Sequence, residues 1–324
     1  MFTAFKTRRP WATVIICFFL SPMIGMFYLG RGRAGLIYLL LEIAAALVAV
    51  AAVLAGLLNL DIRSAVSLLQ YTVILPGCIH GYVIARRQNG LVPRPWFARW
   101  YSWLPFYIAP VVLAVAVRTF CFEPFIIPSQ SSLPTLEVGD YLFVSKFAYG
   151  YSRYSVPFGP PIFSGRIFAS EPKRGDIVVF KWPYDNRTDY IKRLVGLPGD
   201  RIQMREGVLV INGQPVQRTR IEDYSFMEAN GEAKTVPQYR ETLPDGRSYR
   251  VLDRAPTPLD NTGVYVVPTG HYFVLGDNRD NSADSRMPAG PVGVGLVPAE
   301  NLVGRASLIL RSGRKQQLEW VHPQ

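Results

Sequence analysis

Phe125-Ile126-Ile127-Pro128-Ser129-Gln130-Ser131-Ser132-Leu133-Pro134-Thr135-Leu136 marks the point where this 324-residue chain changes character. Before it lie long apolar segments; after it come short runs rich in Val, Ile, Phe and Tyr. The stretch presents three serines between two prolines, and composition alone would make it a linker. Its flanks argue otherwise. Phe125-Ile126-Ile127 on one side and Leu136-Glu137-Val138-Gly139-Asp140-Tyr141-Leu142-Phe143-Val144 on the other are strand-like, and a loop held between strands can position a hydroxyl.

Working toward the amino terminus, four apolar segments occupy Trp11 to Leu29, Ala34 to Leu60, about Val66 to Ala85, and Trp103 to Phe120. Each approaches the ~20 residues needed to cross a bilayer core. Residues 1–120 therefore read as a helical transmembrane region of three or four spans, and 121–324 as a separate domain. The first segment is broken by Ser21-Pro22 and Gly25, which allows a re-entrant hairpin in place of a full crossing. It lacks a small-x-small site before polar sequence, so it does not read as a cleavable signal peptide. Glu42 is the one charge inside the second segment, and it reads as reaching the interface or pairing locally.

Of the formal net charge of +11, residues 1–120 carry +9, with eleven Lys/Arg against Glu42 and Asp61. A pI near 9.7 would otherwise suggest nucleic acid, but this excess sits in short loops between apolar segments, where the membrane accounts for it. The loop bearing Arg86, Arg87, Arg94 and Arg99 is the most basic, which makes it cytoplasmic and sends the large domain outside. Trp96, Phe97, Trp100, Tyr101 and Trp103 form the matching aromatic belt.

The outer domain reads as mainly β, with strands expected at Asp140 to Phe147, Asp176 to Trp182, Tyr190 to Val195, Arg201 to Arg205, Val208 to Ile211, Val264 to Val267 and Tyr272 to Leu275. Asn212-Gly213 is a hairpin turn signal. Pro157 to Gly165 and the polar Glu222 to Leu259 look like excursions, with about 205–270 as an insertion on the sheet. Cys17, Cys78 and Cys121 all lie in or beside apolar segments, which leaves the outer domain without a disulfide of its own. His80, His271 and His322 are the only histidines and show no zinc-ligand spacing; no metal or cofactor is expected.

Some sixty residues after the serines comes Tyr190-Ile191-Lys192-Arg193-Leu194-Val195-Gly196, a strand that carries a lysine. Alternation puts Lys192 on the face of Tyr190 and Leu194, and Arg193 on the other. A serine hydroxyl needs a base, and a lysine made neutral by burial can be that base with no histidine. The third chemical stretch is Gly276-Asp277-Asn278-Arg279-Asp280-Asn281-Ser282-Ala283-Asp284-Ser285-Arg286. It fails as a calcium loop, because Arg279 takes a ligand position and the required glycine is missing. It reads as a polar buttress in which Asp280 and Asp284 pair with Arg279 and Arg286.

Together these three stretches, from Arg118 to Ala306, resemble the type I signal peptidases of bacteria, membrane-bound Ser/Lys peptidases that act on exported precursors. That resemblance implies Ser131 as nucleophile and Lys192 as general base, with Ser129 and the Ser131 N–H as oxyanion hole. It further implies that Ser282 holds the lysine amine, that Asp277, Arg279, Asp284, Arg286 and Arg193 support the site, and that Phe125, Ile127, Pro128, Leu136, Tyr190 and Ile191 line the substrate cleft. The expected location is the bacterial inner membrane, multi-pass, with the catalytic domain on the periplasmic side. Expected partners are signal-peptide-bearing precursors cut after small-x-small, membrane lipid and the secretion machinery, with no nucleic acid. Two departures stand out: Ser132 where the family usually has Met, and Gln130 where glycine is frequent. Resemblance to two-span members with an external amino terminus favours four full crossings over the hairpin. The rival readings are a Ser-His-Asp hydrolase built on His271 or His322, and a catalytically weakened, membrane-anchored precursor-binding protein.

Overall fold

The computed structural model describes residues 9–58, 60–88, 95–156, 159–160, 163–227, 232–311 and 318–321. Lys6, Arg8, Arg94 and His322 lie outside them, as do parts of the Pro157 to Gly165 and Glu222 to Leu259 stretches. The chain divides into two compact units, Met1–Leu113 and Ala114–Gln324.

In the first unit, α1 (Pro10–Phe19) and α2 (Pro22–Tyr28) replace the expected first span. Pro22 opens α2, and Ser21 caps it by accepting the N–H of Met23 at 2.9 Å. A Cβ on Gly25 would lie 3.6 Å from the Cα of Cys17, although eight residues of continuous helix would separate the two by ~12 Å. The chain therefore folds back on itself at Ser21-Pro22. At ten and seven residues, neither arm reaches the ~20 that a crossing needs. Two helices are long and apolar enough to cross: α3 (Gly32–Leu54), whose window Gly32–Val53 has mean hydropathy 2.6, and α4 (Ile62–Arg87) at 1.4. α4 is capped by Asp61, which accepts the N–H of Ser64, and ends on Arg86 and Arg87, where cations complement the helix dipole. Glu42 pairs locally, accepting the Ser21 hydroxyl on its two oxygens at 2.9 and 3.1 Å. A fifth helix, α5 (Leu104–Phe120), is apolar but only 17 residues long.

The second unit is built on an antiparallel sheet. β1 (Phe122–Ile126) pairs with β2 (Tyr141–Ser145), then come the Leu302–Leu310 strand, β3 (Ile177–Lys181), β4 (Asp189–Gly196), His271–Leu275 and Val297–Pro298. Lys146, only 2% exposed, anchors β1 through an ion pair to Glu123 at 2.6 Å. One core cluster on this sheet gathers Ile127, Leu136, Leu142, Val144 and Val179; a second gathers Val178, Phe180, Leu194 and Val274. Because β4 lies between two strands and is covered on both faces, its residues from Lys192 to Gly196 are all buried. Arg193 is thus as enclosed as Lys192, contrary to the simple alternation of inside and outside.

The polar insertion is more ordered than its composition suggests. Arg201–Arg205, Val208–Ile211, Gln214–Pro215 and Tyr265–Val266 form one sheet, and Gln217–Arg220, Gln238–Thr242 and Ser248–Leu252 another. Asn212 and Gly213 both have positive φ (53° and 82°), the two-residue turn that this dipeptide favours. The insertion shares a core with the main sheet: Ile202, Met204, Leu243 and Val251 pack with Val195, Phe273 and Leu275.

Candidate active site

β1 leads into a single 3-10 turn, Gln130–Ser132, that carries the serines. Asn278 holds this turn from behind: its side-chain amide donates to the Gln130 carbonyl at 3.0 Å and its backbone N–H to the Ser131 carbonyl at 3.1 Å. Gly276 is required beside it, since a Cβ there would lie 2.1 Å from Ser282 Oγ and 2.7 Å from the Ser131 carbonyl oxygen. The turn so held brings Ser131 Oγ within 2.7 Å of Lys192 Nζ. Lys192 is 4% exposed, with its Nζ 5.6 Å from the centre of the Tyr190 ring. Burial pushes its amine down to about 8, against the upward pull of the Asp284 and Asp277 carboxylates. Ser129 is exposed, its Oγ 3.3 Å from Ser131 Oγ. Ser132 is buried, 7% exposed, and its backbone carbonyl accepts the Leu136 N–H.

Around the dyad lies a buried charge network. Arg193 grips Asp277 with two bonds, Nε to Oδ1 at 2.8 Å and a terminal nitrogen to Oδ2 at 2.7 Å, and donates to the Gly175 carbonyl. Thr135 Oγ1 donates to the same Asp277, tying the serine loop to the network. Arg286 pairs with Asp284, both fully buried, and Asp284 also accepts the Gly276 N–H. The expected Arg279–Asp280 pair is not formed. Arg279 reaches instead to Glu241 in the insertion, with both terminal nitrogens on the carboxylate, while Asp280 accepts the N–H groups of Arg254 and Ala255. A buried guanidinium needs a desolvated carboxylate placed for two parallel bonds, and Asp280, only one residue along, is engaged elsewhere. The expected Ser282–Lys192 hydrogen bond is also absent: Ser282 Oγ is buried with no partner among the described residues.

Of the expected cleft residues, Ile127 and Leu136 are core members, and Phe125 and Ile191 pack partly buried against the same cluster. Tyr190 stacks on Trp182 at 5.3 Å on the other face of the strand, and Pro128 is exposed. Among the described residues, Asp253, Asp260 and Asp280 bring carboxylate oxygens within 4.8 Å of one another. Arg218 on Asp253 and backbone N–H groups on the other two already engage these acids. His271 Nδ1 lies 3.2 Å from the Thr269 carbonyl oxygen, and no described hydrogen bond joins it to a serine of the turn.

Thr135, Glu241 and Asn278 were not singled out from sequence. Asn278 and Gly276 stood inside a stretch already marked, so their neighbours pointed to them. Glu241 carried no signal, being one acid in a polar run 38 residues from its partner. Replacing Glu241 by Ala strands a buried guanidinium, and the expected loss of stability is about 3–5 kcal/mol. Urea unfolding of the purified variant checks this, and a change under about 1 kcal/mol would contradict it.

The family model described as signal peptidase, peptidase S26, matches residues 100–311. Similar proteins include the signal peptidase I of Rickettsia typhi, 44% identical over 208 residues that make up 61% of this chain and 75% of that one. The signal peptidase I of Rickettsia massiliae is 43% identical over 212 residues, 63% of this chain and 76% of that one. A crystal structure of a signal peptidase I from Enterococcus faecalis is 28% identical, with 43% of this chain and 98% of that one covered, at a TM-score of 0.26. The matched region contains the serine turn, Lys192 and the whole buried network, and the class so defined is a membrane-anchored serine endopeptidase. The chain belongs to the signal peptidase family, peptidase S26.

Proposed function

We propose that this chain removes signal peptides from exported precursors with Ser131 as nucleophile and Lys192 as general base, cutting after a small-x-small sequence. The observation that carries this reading is the 2.7 Å approach of Ser131 Oγ to an amine that burial has brought toward neutrality. Lys192 takes the Ser131 proton as the hydroxyl attacks the scissile carbonyl, then returns it to the leaving amine; water activated by the same amine hydrolyses the acyl-enzyme. Ser129 and the Ser131 N–H stabilise the tetrahedral oxyanion. Ser129→Ala should slow single-turnover cleavage about 10²–10³-fold with little change in precursor binding, and an unchanged rate would remove Ser129 from that role.

A substrate strand has somewhere to add. β4 pairs with β3 along Asp189 to Arg193 but with its other neighbour only from Arg193 onward, so Asp189 to Lys192 keep an unpaired side among the described residues. A precursor strand bonded there would place alternate side chains toward Phe125, Ile127, Leu136 and Ile191, with Tyr190 at the margin. Placing Asp at the first or third residue before the cut in a synthetic precursor tests this; continued cleavage at the same bond by the purified full chain would overturn the small-x-small assignment.

The membrane arrangement follows from the hairpin and the basic loop. With α1 and α2 folded back, Arg31 and Arg33 stay on the cytoplasmic side with Arg86 and Arg87, and α3, α4 and α5 cross the bacterial inner membrane to leave the catalytic domain periplasmic. Membrane lipid and the secretion machinery are the surroundings in which it meets precursors. Single cysteines at Gln88 and Lys173, in a variant without the native thiols, should be respectively protected from and reactive toward an impermeant reagent added outside the inner membrane. The reverse pattern would refute the orientation.

A further inference from the structure

On the face of β4 opposite Lys192 is a groove of about 480 Å³ walled by the Leu302–Leu310 strand, the Ser248–Leu252 strand and the chain before β3. Neither Ser131 nor Lys192 lines it, and it takes no part in the chemistry above. Its lining holds six Lys/Arg against Asp176 and Glu319, although residues 121–324 as a whole carry only +2. Three of the six are accounted for within the fold. Arg193 is bound to Asp277, Arg247 to Asp176 at 3.3 Å, and Arg311 to Asp140 at 2.7 Å. The other three, Lys173, Arg250 and Arg305, are exposed and make no side-chain hydrogen bond or ion pair among the described residues.

Three cations without a carboxylate partner of their own, drawn from three separate segments onto one cavity, leave its lining with an excess of positive charge over Asp176 and Glu319. We propose that this groove is a binding site for a phosphate-bearing anion held by Lys173, Arg250 and Arg305. A phosphate presents its oxygens in a tetrahedral array, three or four terminal ones in a monoester or free ion and two in a diester, so donors from three directions can reach it, whereas a carboxylate's two oxygens lie in one plane. The volume lies within the range of small-molecule sites, ~300–1,000 Å³, and leaves room for a phosphodiester with its substituents. The same chemistry is presented by an anionic lipid headgroup and by a soluble phosphate. The groove floor is formed partly by Arg193 and Thr135, which hold Asp277, so the occupant would sit behind the serine turn.

The test uses the full chain in a neutral detergent, titrated with inorganic phosphate and, separately, with dihexanoyl phosphatidylglycerol kept below its micellar concentration. The readout is the equilibrium affinity from calorimetry. Either probe should bind, and the triple substitution Lys173→Gln, Arg250→Gln, Arg305→Gln should weaken that binding about tenfold or more, while Arg201→Gln, an exposed cation elsewhere, should not. Binding of the lipid alone identifies a headgroup as the occupant, and binding of phosphate alone a soluble ion. Retained precursor cleavage shows that the triple variant is folded, since none of the three side chains bonds to another described residue. Absence of binding by both probes, or equal affinity in the native and triple-variant proteins, overturns the proposal.

Discussion

Ser131→Ala is expected to abolish precursor cleavage, with a loss of about ten-thousand-fold or more, because the acyl-enzyme route is closed while binding and oxyanion stabilisation remain. Ser132→Ala, one residue on, should keep most of the activity. The two serines are adjacent in sequence but differ in contacts: Ser131 Oγ is 2.7 Å from Lys192 Nζ, whereas Ser132 is 7% exposed and makes no described hydrogen bond to the lysine. Cleavage of a precursor by the two purified variants measures both. Activity in Ser131→Ala near that of the native protein would remove the dyad, and inactivity of Ser132→Ala with Ser131→Ala active would exchange their roles. The same pair of variants decides against a weakened, binding-only protein, for which neither substitution would change a rate.

Lys192→Arg should be equally inactive, since a guanidinium stays protonated and cannot accept the serine proton. In the native protein the rate of the chemical step should be low in acid and rise through about pH 8, because only the neutral amine is a base. A stability effect accompanies it. An unfolded lysine titrates near ~10.4, so between about pH 8 and that value the unfolded chain binds more protons and stability rises with pH. Below pH 8 the cost of burying the ammonium is present in full, on the order of 3 kcal/mol for this shift. Lys192→Met should therefore be inactive yet more stable than the native protein at pH 6, an outcome that misfolding cannot imitate. A pH–rate profile that instead loses its controlling group on His271→Ala would replace lysine by histidine as the base.

Much of this site was legible because its parts obey local rules. Strand–turn–strand alternation around Pro128 and Pro134 marked the serine turn, β-branched residues on both sides of Lys192 marked a strand, and Asn212-Gly213 marked its hairpin. What stayed hidden depends on which distant groups meet. Alternation could separate the faces of Lys192 and Arg193 but not show that both are enclosed, because it assumes one wet face, whereas β4 is covered by strands and cores on both sides. Asp280 looked like the partner of Arg279 because it is adjacent, but a bidentate pair needs two parallel bonds, and Glu241 reaches across from a strand of the insertion to supply them. The polar run from Glu222 to Leu259 concealed Leu243, Val251 and Leu252, whose burial depends on pairing between strands that no local pattern announces. In the apolar half, composition could not separate a full crossing from a chain that folds back, and the close approach of Gly25 to Cys17 is a tertiary contact that no local pattern announces.

The dyad itself is tested most directly by trapping its covalent intermediate. An acylating inhibitor incubated with the full chain in detergent should add one acyl group, seen in the intact mass, and peptide mapping should locate it on Ser131; the adduct should form faster as pH rises through about 8 and should be absent in Ser131→Ala and in Lys192→Met. An adduct on Ser132 or Ser129, or labelling of Ser131 at an undiminished rate in Lys192→Met, would contradict the Ser131–Lys192 account.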